Sequence, residues 1–313
     1  MLLKNEYSIL KALAYFDMFQ YPITVLEIHR FMDNGMDVAD VRAALEDLCE
    51  KGYVFLHEDF YALQNQPSWI IRRMEGNARA QELLQTAYRI AAVLYRFPFV
   101  RGVGISGSLS KDFADERADI DFFLITKANW LWIARSLLHG LKKLSFLVGK
   151  EDYYCMNYFI DEEALLIAEE NIFTATEVVT LKPVCGKETM NNFFTANNWS
   201  AGFLPNAGLY YPPIQNACHD PWYKKLLEKM FSNRAGKWLN HYLMRVTRKR
   251  WEKKERDHRL NSKGDPFGLA VGVHFARPNP AHLQKKLLDM YAERLNAMEK
   301  KWGMVFDNKS ISS

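Results

Sequence analysis

The feature that most constrains this chain is a pair of apolar stretches joined by a polar segment containing Gly107-Ser108 and Asp119-Ile120-Asp121. The first stretch, FVRGVGIS, has the β-branched and apolar residues of a buried strand. Ten residues separate Ser108 from Asp119, and a second apolar stretch, residues 122–125, follows the two acids at once. This order predicts a strand, a Gly-Ser turn with a helix starting at Leu109, and a second strand headed by two carboxylates.

The two aspartates are one residue apart at the start of the second predicted strand. Residues i and i+2 of a strand point to the same side, so Asp119 and Asp121 present their carboxylates together while Ile120 turns into the core. Adjacent carboxylates repel each other unless a cation lies between them. Mg²⁺ is the natural partner, because it is usually bound by one or two carboxylates plus substrate phosphates. We therefore predict Asp119 and Asp121 as metal ligands.

The turn before them has the properties of a phosphate-binding loop. Gly107 has no Cβ, so phosphate oxygens can approach its backbone, and amides at a helix start favour an anion. Lys111 and Arg117 would add positive charge beside a triphosphate. Gly107, Ser108 and Lys111 are therefore predicted to bind a nucleotide.

This combination resembles the signature of the nucleotidyltransferase superfamily, which includes DNA polymerase beta, poly(A) polymerases and the minimal nucleotidyltransferases. The resemblance covers Gly107, Ser108, Asp119 and Asp121. It implies an α/β (α+β) domain with a small mixed sheet, here residues 98–185. It also implies Mg²⁺-dependent transfer of a nucleoside monophosphate from a nucleoside triphosphate to a hydroxyl acceptor, with pyrophosphate leaving. Two Mg²⁺ ions, about 4 Å apart in such sites, would steady the attacking and leaving oxygens.

The family also leads us to expect a third carboxylate on a later strand, often acting as general base. The next strand pattern, residues 152–161, has Asn157 where this acid should stand. Alternation puts Tyr153, Cys155, Phe159 and Asp161 on the same face as Asn157. An amide oxygen can bind a metal but cannot accept a proton. Asn157 and Asp161 are therefore both candidates for the third catalytic position. Two alternatives stay open: Asp119 and Asp121 act without a third acid, or the activity is reduced or lost.

Residues 1–65 resemble a winged helix, with three helical patterns followed by two short strands around His57-Glu58-Asp59. The third helix is expected to begin after Asp37, which is a candidate N-cap. Five basic residues stand against eleven acids over positions 1–60, a net charge of −6. DNA affinity comes largely from Lys and Arg on phosphates, so an acidic reading helix favours a protein partner over DNA.

Residues 66–97 are predicted to form a linker helix, and 186–313 a mostly helical region that would supply the acceptor pocket. Positions 234–263 carry eleven basic residues against three acids, a net charge of +8. Such a helix is most simply a solvated face, and contact with nucleic acid is the alternative. The most apolar segment, residues 130–148, is interrupted by charges and predicts a packed amphipathic helix rather than a membrane span.

The four cysteines are widely spaced and form no CxxC pair, which predicts neither a disulfide framework nor a zinc site, and indicates a cytoplasmic protein. The N terminus lacks the apolar stretch of a signal peptide. Two other functions stay open beside the transferase. One is a catalytically weak or inactive nucleotide-binding regulator, similar in role to an antitoxin. The other is an enzyme that modifies RNA ends.

Overall fold

Two sheets organise the chain, a hairpin near the N terminus and a larger mixed sheet at the centre. The computed structural model describes residues 4–116, 118–145, 151–210, 218–257, 268–278, 283–303 and 305–306. The strands are β1 (Phe55–His57), β2 (Phe60–Ala62), β3 (Val100–Ile105), β4 (Asp121–Thr126), β5 (Cys155–Asp161), β6 (Lys182–Cys185), β7 (Leu269–Val271) and β8 (Phe275–Pro278). The helices are α1 (Lys4–Asp17), α2 (Val25–Phe31), α3 (Val38–Glu50), α4 (Pro67–Tyr95), α5 (Leu131–Ser145), α6 (Ile172–Thr180), α7 (Lys187–Ala196), α8 (Ser200–Phe203), α9 (Trp222–Phe231), α10 (Arg234–Arg256) and α11 (Leu283–Trp302).

The N-terminal unit has the predicted order of three helices and a hairpin. Helix α2 begins with a capping box, in which the Thr24 hydroxyl accepts from the Glu27 amide and the Glu27 carboxylate accepts from the Thr24 amide. Asp37 is the N-cap residue of α3, as predicted, although its side chain makes no capping hydrogen bond. A bridge between Ile23 and Tyr61 adds a third extended segment to the hairpin.

Helix α4 connects this unit to the large sheet and is packed against both. At its N-terminal end Arg73 is buried, donates to both Glu27 carboxylate oxygens at 2.8 Å and also donates to the Pro22 carbonyl. Further along, Ala80 and Ala87 are buried in the core beneath the sheet. The predicted linker is therefore also a structural support for β3.

The large sheet has the strand order β6-β3-β4-β5-β8-β7 among the described residues. Strands β4 and β5 run parallel, while β3 is antiparallel to both of its neighbours. Phe122 and Leu124 of β4 belong to the core shared with α4 and α5, and Phe123 and Ile125 to a second core with α6 and α7. Helices therefore cover both faces, and the fold is mixed α/β.

The C-terminal region was predicted to be mostly helical, but it also contains β7 and β8, which extend the large sheet. Helix α10 packs on α5, where the Asn240 side chain accepts from the amides of Trp132 and Ile133 at 3.0 and 3.1 Å. Helix α11 returns to α1, with the Tyr291 ring 5.8 Å from that of Tyr15. The two ends of the chain therefore share one core.

Cys185, at the end of β6, forms a disulfide with Cys218. Their Cα atoms are 5.4 Å apart, within the ordinary range for a disulfide. The wide spacing of the cysteines predicted no disulfide framework, and the structure corrects this for one pair, because the fold brings together Cys185 and Cys218, which are 33 residues apart in sequence. Within the described part of the chain, no helix combines the length and the apolar composition needed to cross a bilayer.

Candidate functional site

The segment between β3 and β4 begins with a turn whose backbone requires glycine. Gly107 has a φ of +68°, and a Cβ built there would lie 2.6 Å from Asp121 Oδ2. The Ser106 amide donates to the Asp121 carbonyl at 2.9 Å, and the Ser110 hydroxyl donates to the Gly107 carbonyl at 2.8 Å. Gly107 therefore lies directly against the Asp121 carboxylate, and Ser108 beside it is exposed.

The expected helix after this turn is a single 3₁₀ turn, Leu109–Lys111. A turn of three residues has little of the cumulative dipole of an α-helix, so the proposed helix-start contribution to anion binding is weaker than predicted. The turn is supported from the N-terminal unit by Tyr21, whose hydroxyl donates to the Lys111 carbonyl at 3.4 Å. The Tyr21 ring also packs edge-on against Phe113, with centroids 5.3 Å apart.

Asp119 and Asp121 lie together as predicted, and Ile120 between them is fully buried. Their carboxylates form a cluster with the thiol of Cys155, in which the ligand atoms all lie within 4.8 Å of one another. Both aspartates are half-buried and Cys155 is buried. Among the described residues, this is the group of acidic, histidine and cysteine side chains that can hold a metal ion.

Cys155 enters the site because β5 runs parallel to β4 and begins at the same edge. The Cα of Cys155 is the register partner of Asp121, and its amide donates to the Ile120 carbonyl at 3.2 Å. The register shifts between Asp121 and Phe123, where three steps along β5 match two along β4. Cys155 is not among the metal ligands that the sequence predicts. Its place in the cluster follows from the pairing of β5 with β4, and the predicted strand over residues 152–161 contains no local signal for it.

The register shift also corrects the predicted face. Phe159 belongs to the core on one side of the sheet with Phe122, while Tyr158 and Ile160 pack on the other side with Phe123. Cys155 and Phe159 therefore do not share a continuous alternating face as expected. Asn157 is a backbone member of β5, and its side chain lies outside the described residues.

Asp161 is not beside the pair, so its prediction as the third carboxylate was wrong. It is the register partner of Thr126, at the opposite end of β4 from Asp121, a separation of about 16 Å at ~3.3 Å per residue. The side chain is fully buried and accepts from the amides of Asn129 and Glu163 at 2.8 and 3.0 Å. His274 Nδ1 lies 3.0 Å from its carboxylate. Asp161 stabilises the loop after β4 and lies outside the candidate metal site.

Lys111 lies next to the turn, but its ammonium group is engaged within the protein. It donates to Glu177 Oε1 at 2.7 Å and to the Gly107 carbonyl at 3.2 Å. Lys111 thus holds the turn against α6, and a bound triphosphate would have to compete with Glu177 for it. Arg117, the other predicted cation, lies outside the described residues.

The electrostatics of the site favour a neutral thiol when no cation is bound. Burial, followed by the negative charges of Asp121 and Asp119, raises the pKa of the Cys155 thiol well above its usual range. Lys142, from the last turns of α5, opposes this by lowering the pKa of that thiol. A divalent cation between the carboxylates would reverse the balance, because its positive charge would stabilise the thiolate.

None of three comparisons with known proteins identifies a family, because no family model, no curated protein and no solved structure matches the chain. The function is therefore inferred from the donor set and the turn. Two carboxylates at hand and an exposed glycine turn are suited to a divalent cation with a phosphorylated ligand.

The basic segment includes the whole of α10, which packs on α5. Within α10 nine basic residues stand against two acids, and the segment from 258 to 263 lies outside the described residues. On its outer face Trp238 is 67% exposed and Tyr242 50% exposed. Their rings are stacked, with centroids 5.4 Å apart and an interplanar angle of 9°. Trp238 and Tyr242 therefore add two aromatic faces to the exposed surface of this basic helix.

Proposed function

We propose that the chain is a Mg²⁺-dependent nucleotidyltransferase of the nucleotidyltransferase superfamily, moving a nucleoside monophosphate from a nucleoside triphosphate to a hydroxyl acceptor. The observation that carries the proposal is the contact between Gly107 and the Asp121 carboxylate, with Asp119 in the same cluster. It places the Gly-Ser turn, with its exposed Ser108, directly beside the two candidate metal ligands. Strands of the mixed sheet hold both parts, which suits catalysis that depends on positioning.

In this proposal Asp119 and Asp121 would hold the metal, and the backbone at Gly107 and Ser108 would receive the phosphates. When bound, Mg²⁺ supplies positive charge to the attacking and leaving oxygens. Asp121 is held in place through its carbonyl by Ser106, so its carboxylate needs little reorganisation on binding. The described cluster has no third carboxylate beyond Asp119 and Asp121, so the proton of the acceptor hydroxyl would pass to one of these two aspartates or to solvent.

The test is calorimetric titration with each of the four common ribonucleoside triphosphates, with and without Mg²⁺. The wild type is compared with the double variant Asp119→Asn/Asp121→Asn. Asp115→Asn is the matched control, since Asp115 lies in the same segment but is 59% exposed and paired with Arg72 at 2.9 Å. We expect Mg²⁺-dependent binding in the wild type and the control and none in the double variant. No triphosphate binding by the wild type would remove the basis of the proposal.

Pyrophosphate release, measured alongside, separates the enzyme from its first rival, a nucleotide-binding regulator that is catalytically weak or inactive. The rival is favoured by Asn157, which stands where the resemblance predicts the third acid, and by a described cluster whose third member is the Cys155 thiol instead of a carboxylate. Under this alternative, the acidic outer face of α3, with exposed Asp40 and Glu46, would contact a protein partner. Binding without pyrophosphate release in the presence of candidate acceptors supports the regulator.

The second rival is an RNA-end-modifying enzyme, and the exposed Trp238–Tyr242 stack favours it. Aromatic faces beside a positively charged track are typical of sites for single-stranded nucleic acid. Binding of a short RNA that falls steeply with salt and is lost in Trp238→Ala/Tyr242→Ala would support it. No binding at low salt would exclude it. A cytoplasmic location is also part of the proposal, and the Cys185–Cys218 disulfide argues against it, because such bonds are rare in a reducing compartment.

A further inference from the structure

We infer that Cys155 is a third metal ligand, so that the cluster binds a sulfur-accepting divalent cation such as Zn²⁺ or Co²⁺ in the absence of nucleotide. This inference rests on the same carboxylate pair as the proposed function and concerns which cation that pair selects. Mg²⁺ would then be held by the carboxylates and a bound triphosphate, while a softer cation would also engage the thiolate. The residue that decides between them is Cys155.

The distances suit a shared metal. Two donors on one tetrahedral Zn²⁺ are roughly 3.5 Å apart, given Zn–O bonds of about 2.1 Å and Zn–S bonds of about 2.3 Å. The ligand atoms of Asp119, Asp121 and Cys155 already lie within 4.8 Å of one another. A contraction of about 1 Å, within reach of small side-chain rotations, brings all three to one ion. Three protein ligands leave the fourth position open for water or a phosphate oxygen.

The backbone holds these donors independently of any ligand. Cys155 is fixed at the start of β5 by its register with Asp121 and by the hydrogen bond that its amide donates to the Ile120 carbonyl. Gly107 leaves the space that the Asp121 carboxylate occupies, since a Cβ there would lie 2.6 Å from Oδ2. Asp121 and Cys155 lie on neighbouring strands, which position ligands more accurately than loops do, and Asp119 lies in the segment that leads directly into β4. Two of the three donors are therefore positioned by the sheet before the cation arrives.

The donor chemistry sets the preference. Mg²⁺ takes hard oxygen ligands, whereas thiolate sulfur selects softer ions such as Zn²⁺. Binding forms one metal–sulfur bond and breaks the S–H bond of Cys155, and the proton passes to solvent as water leaves the hydrated ion. No electrons are transferred. Occupation by such a cation would compete with Mg²⁺-dependent binding of a triphosphate at the same carboxylates.

The test is a Co²⁺ titration of the full chain without nucleotide, followed by absorption spectroscopy. A cobalt–thiolate bond gives a near-ultraviolet charge-transfer band that carboxylates alone do not give. We expect this band in the wild type and in Cys49→Ser, the matched control, since Cys49 is the other cysteine that forms no disulfide. We expect no band in Cys155→Ser and at least about a tenfold loss of Zn²⁺ affinity. Mutating a residue that only hydrogen-bonds to a metal ligand already lowers metal affinity about 10- to 100-fold.

A second variant keeps the test informative if the serine change disturbs folding. Cys155→Asp should lose the cobalt band while gaining Mg²⁺ affinity, a reversal that a misfolded protein would not produce. A wild type without the band at saturating Co²⁺, or a band that survives in Cys155→Ser, overturns the inference. The readout needs no nucleotide, so a band without triphosphate binding contradicts the proposed function alone, and triphosphate binding without a band contradicts this inference alone.

Discussion

Gly107→Ala is the substitution that tests the geometry of the site most selectively. The new methyl group would meet two obstacles, a φ of +68° and an Asp121 Oδ2 only 2.6 Å away. Distances under 3.0 Å are essentially never seen for real Cβ atoms, so the carboxylate must move. The backbone obstacle affects folding, while the displaced carboxylate affects metal binding. The two effects are measured separately.

The left-handed conformation costs an L-residue about 1 to 2 kcal/mol, and the stiffer unfolded chain of alanine returns about 0.5 kcal/mol. We expect Gly107→Ala to lower the free energy of unfolding by about 1 kcal/mol. Rotating the Asp121 carboxylate away removes a ligand from the cluster. Metal affinity should therefore fall at least about tenfold, which corresponds to about 1.4 kcal/mol.

Two further glycines supply the controls. Gly52 has a φ of +73° with nothing within 4 Å of its added Cβ, so Gly52→Ala isolates the backbone cost. Gly140 in α5 also has open space, and Gly140→Ala should stabilise the chain by about 0.5 to 1 kcal/mol. Urea unfolding gives stability, and calorimetric titration with Mn²⁺ or Zn²⁺ gives affinity for all three variants.

The expected pattern is loss of stability in Gly107→Ala and Gly52→Ala, with loss of metal affinity in Gly107→Ala alone. Unchanged metal affinity in Gly107→Ala would refute the reasoning, because it would mean that Asp121 binds no metal or has room to spare. An equal loss of affinity in Gly52→Ala would attribute the effect to general destabilisation instead of the contact.

Three other predictions concern parts of the fold around the site. Asp161→Asn should cost about 2 kcal/mol of stability in urea unfolding, because it weakens charged hydrogen bonds, and should leave metal affinity unchanged; a loss of affinity would return Asp161 to the site. Burial, with Arg135 and other nearby cations, lowers the pKa of His139 to about 3, so the unfolded state binds more protons and stability falls as the pH drops below about 6.5. That contribution is about 2 kcal/mol at pH 5, and His139→Leu should remove it from the difference between pH 8 and pH 5; equal pH dependence would contradict the assignment. Reducing the Cys185–Cys218 disulfide, which spans 33 residues, should cost about 3 to 4 kcal/mol in unfolding with and without dithiothreitol, and no difference would argue against the bond.

The local pattern was sufficient to predict the centre of the site. The strands on either side of Gly107, the buried Ile120 and the adjacent pair Asp119 and Asp121 all follow from alternation and from glycine chemistry. These features depend on residues close in sequence, which is why periodicity finds them. The three helices and hairpin of the N-terminal unit were predicted for the same reason.

The third member of the cluster, Cys155, depends on the pairing of two strands that are distant in sequence, and local periodicity does not predict such pairing. Strict alternation would put Asn157 and Asp161 on the same face of the strand as Cys155. The register shift between β4 and β5 interrupts that alternation. A bulge of this kind leaves no mark in hydrophobic periodicity. The Cys185–Cys218 contact and the added strands β7 and β8 are likewise long-range, and their short segments have little pattern of their own.

The most direct measurement of the central claim is a crystal structure with Mn²⁺ in place of Mg²⁺ and a non-hydrolysable nucleoside triphosphate. Mn²⁺ scatters anomalously, so its position can be read without assuming the ligand pose. The proposal predicts an anomalous peak about 2 Å from oxygens of both Asp119 and Asp121, with the phosphates over Gly107 and Ser108. A triphosphate bound elsewhere, or a peak that contacts neither aspartate, would contradict it.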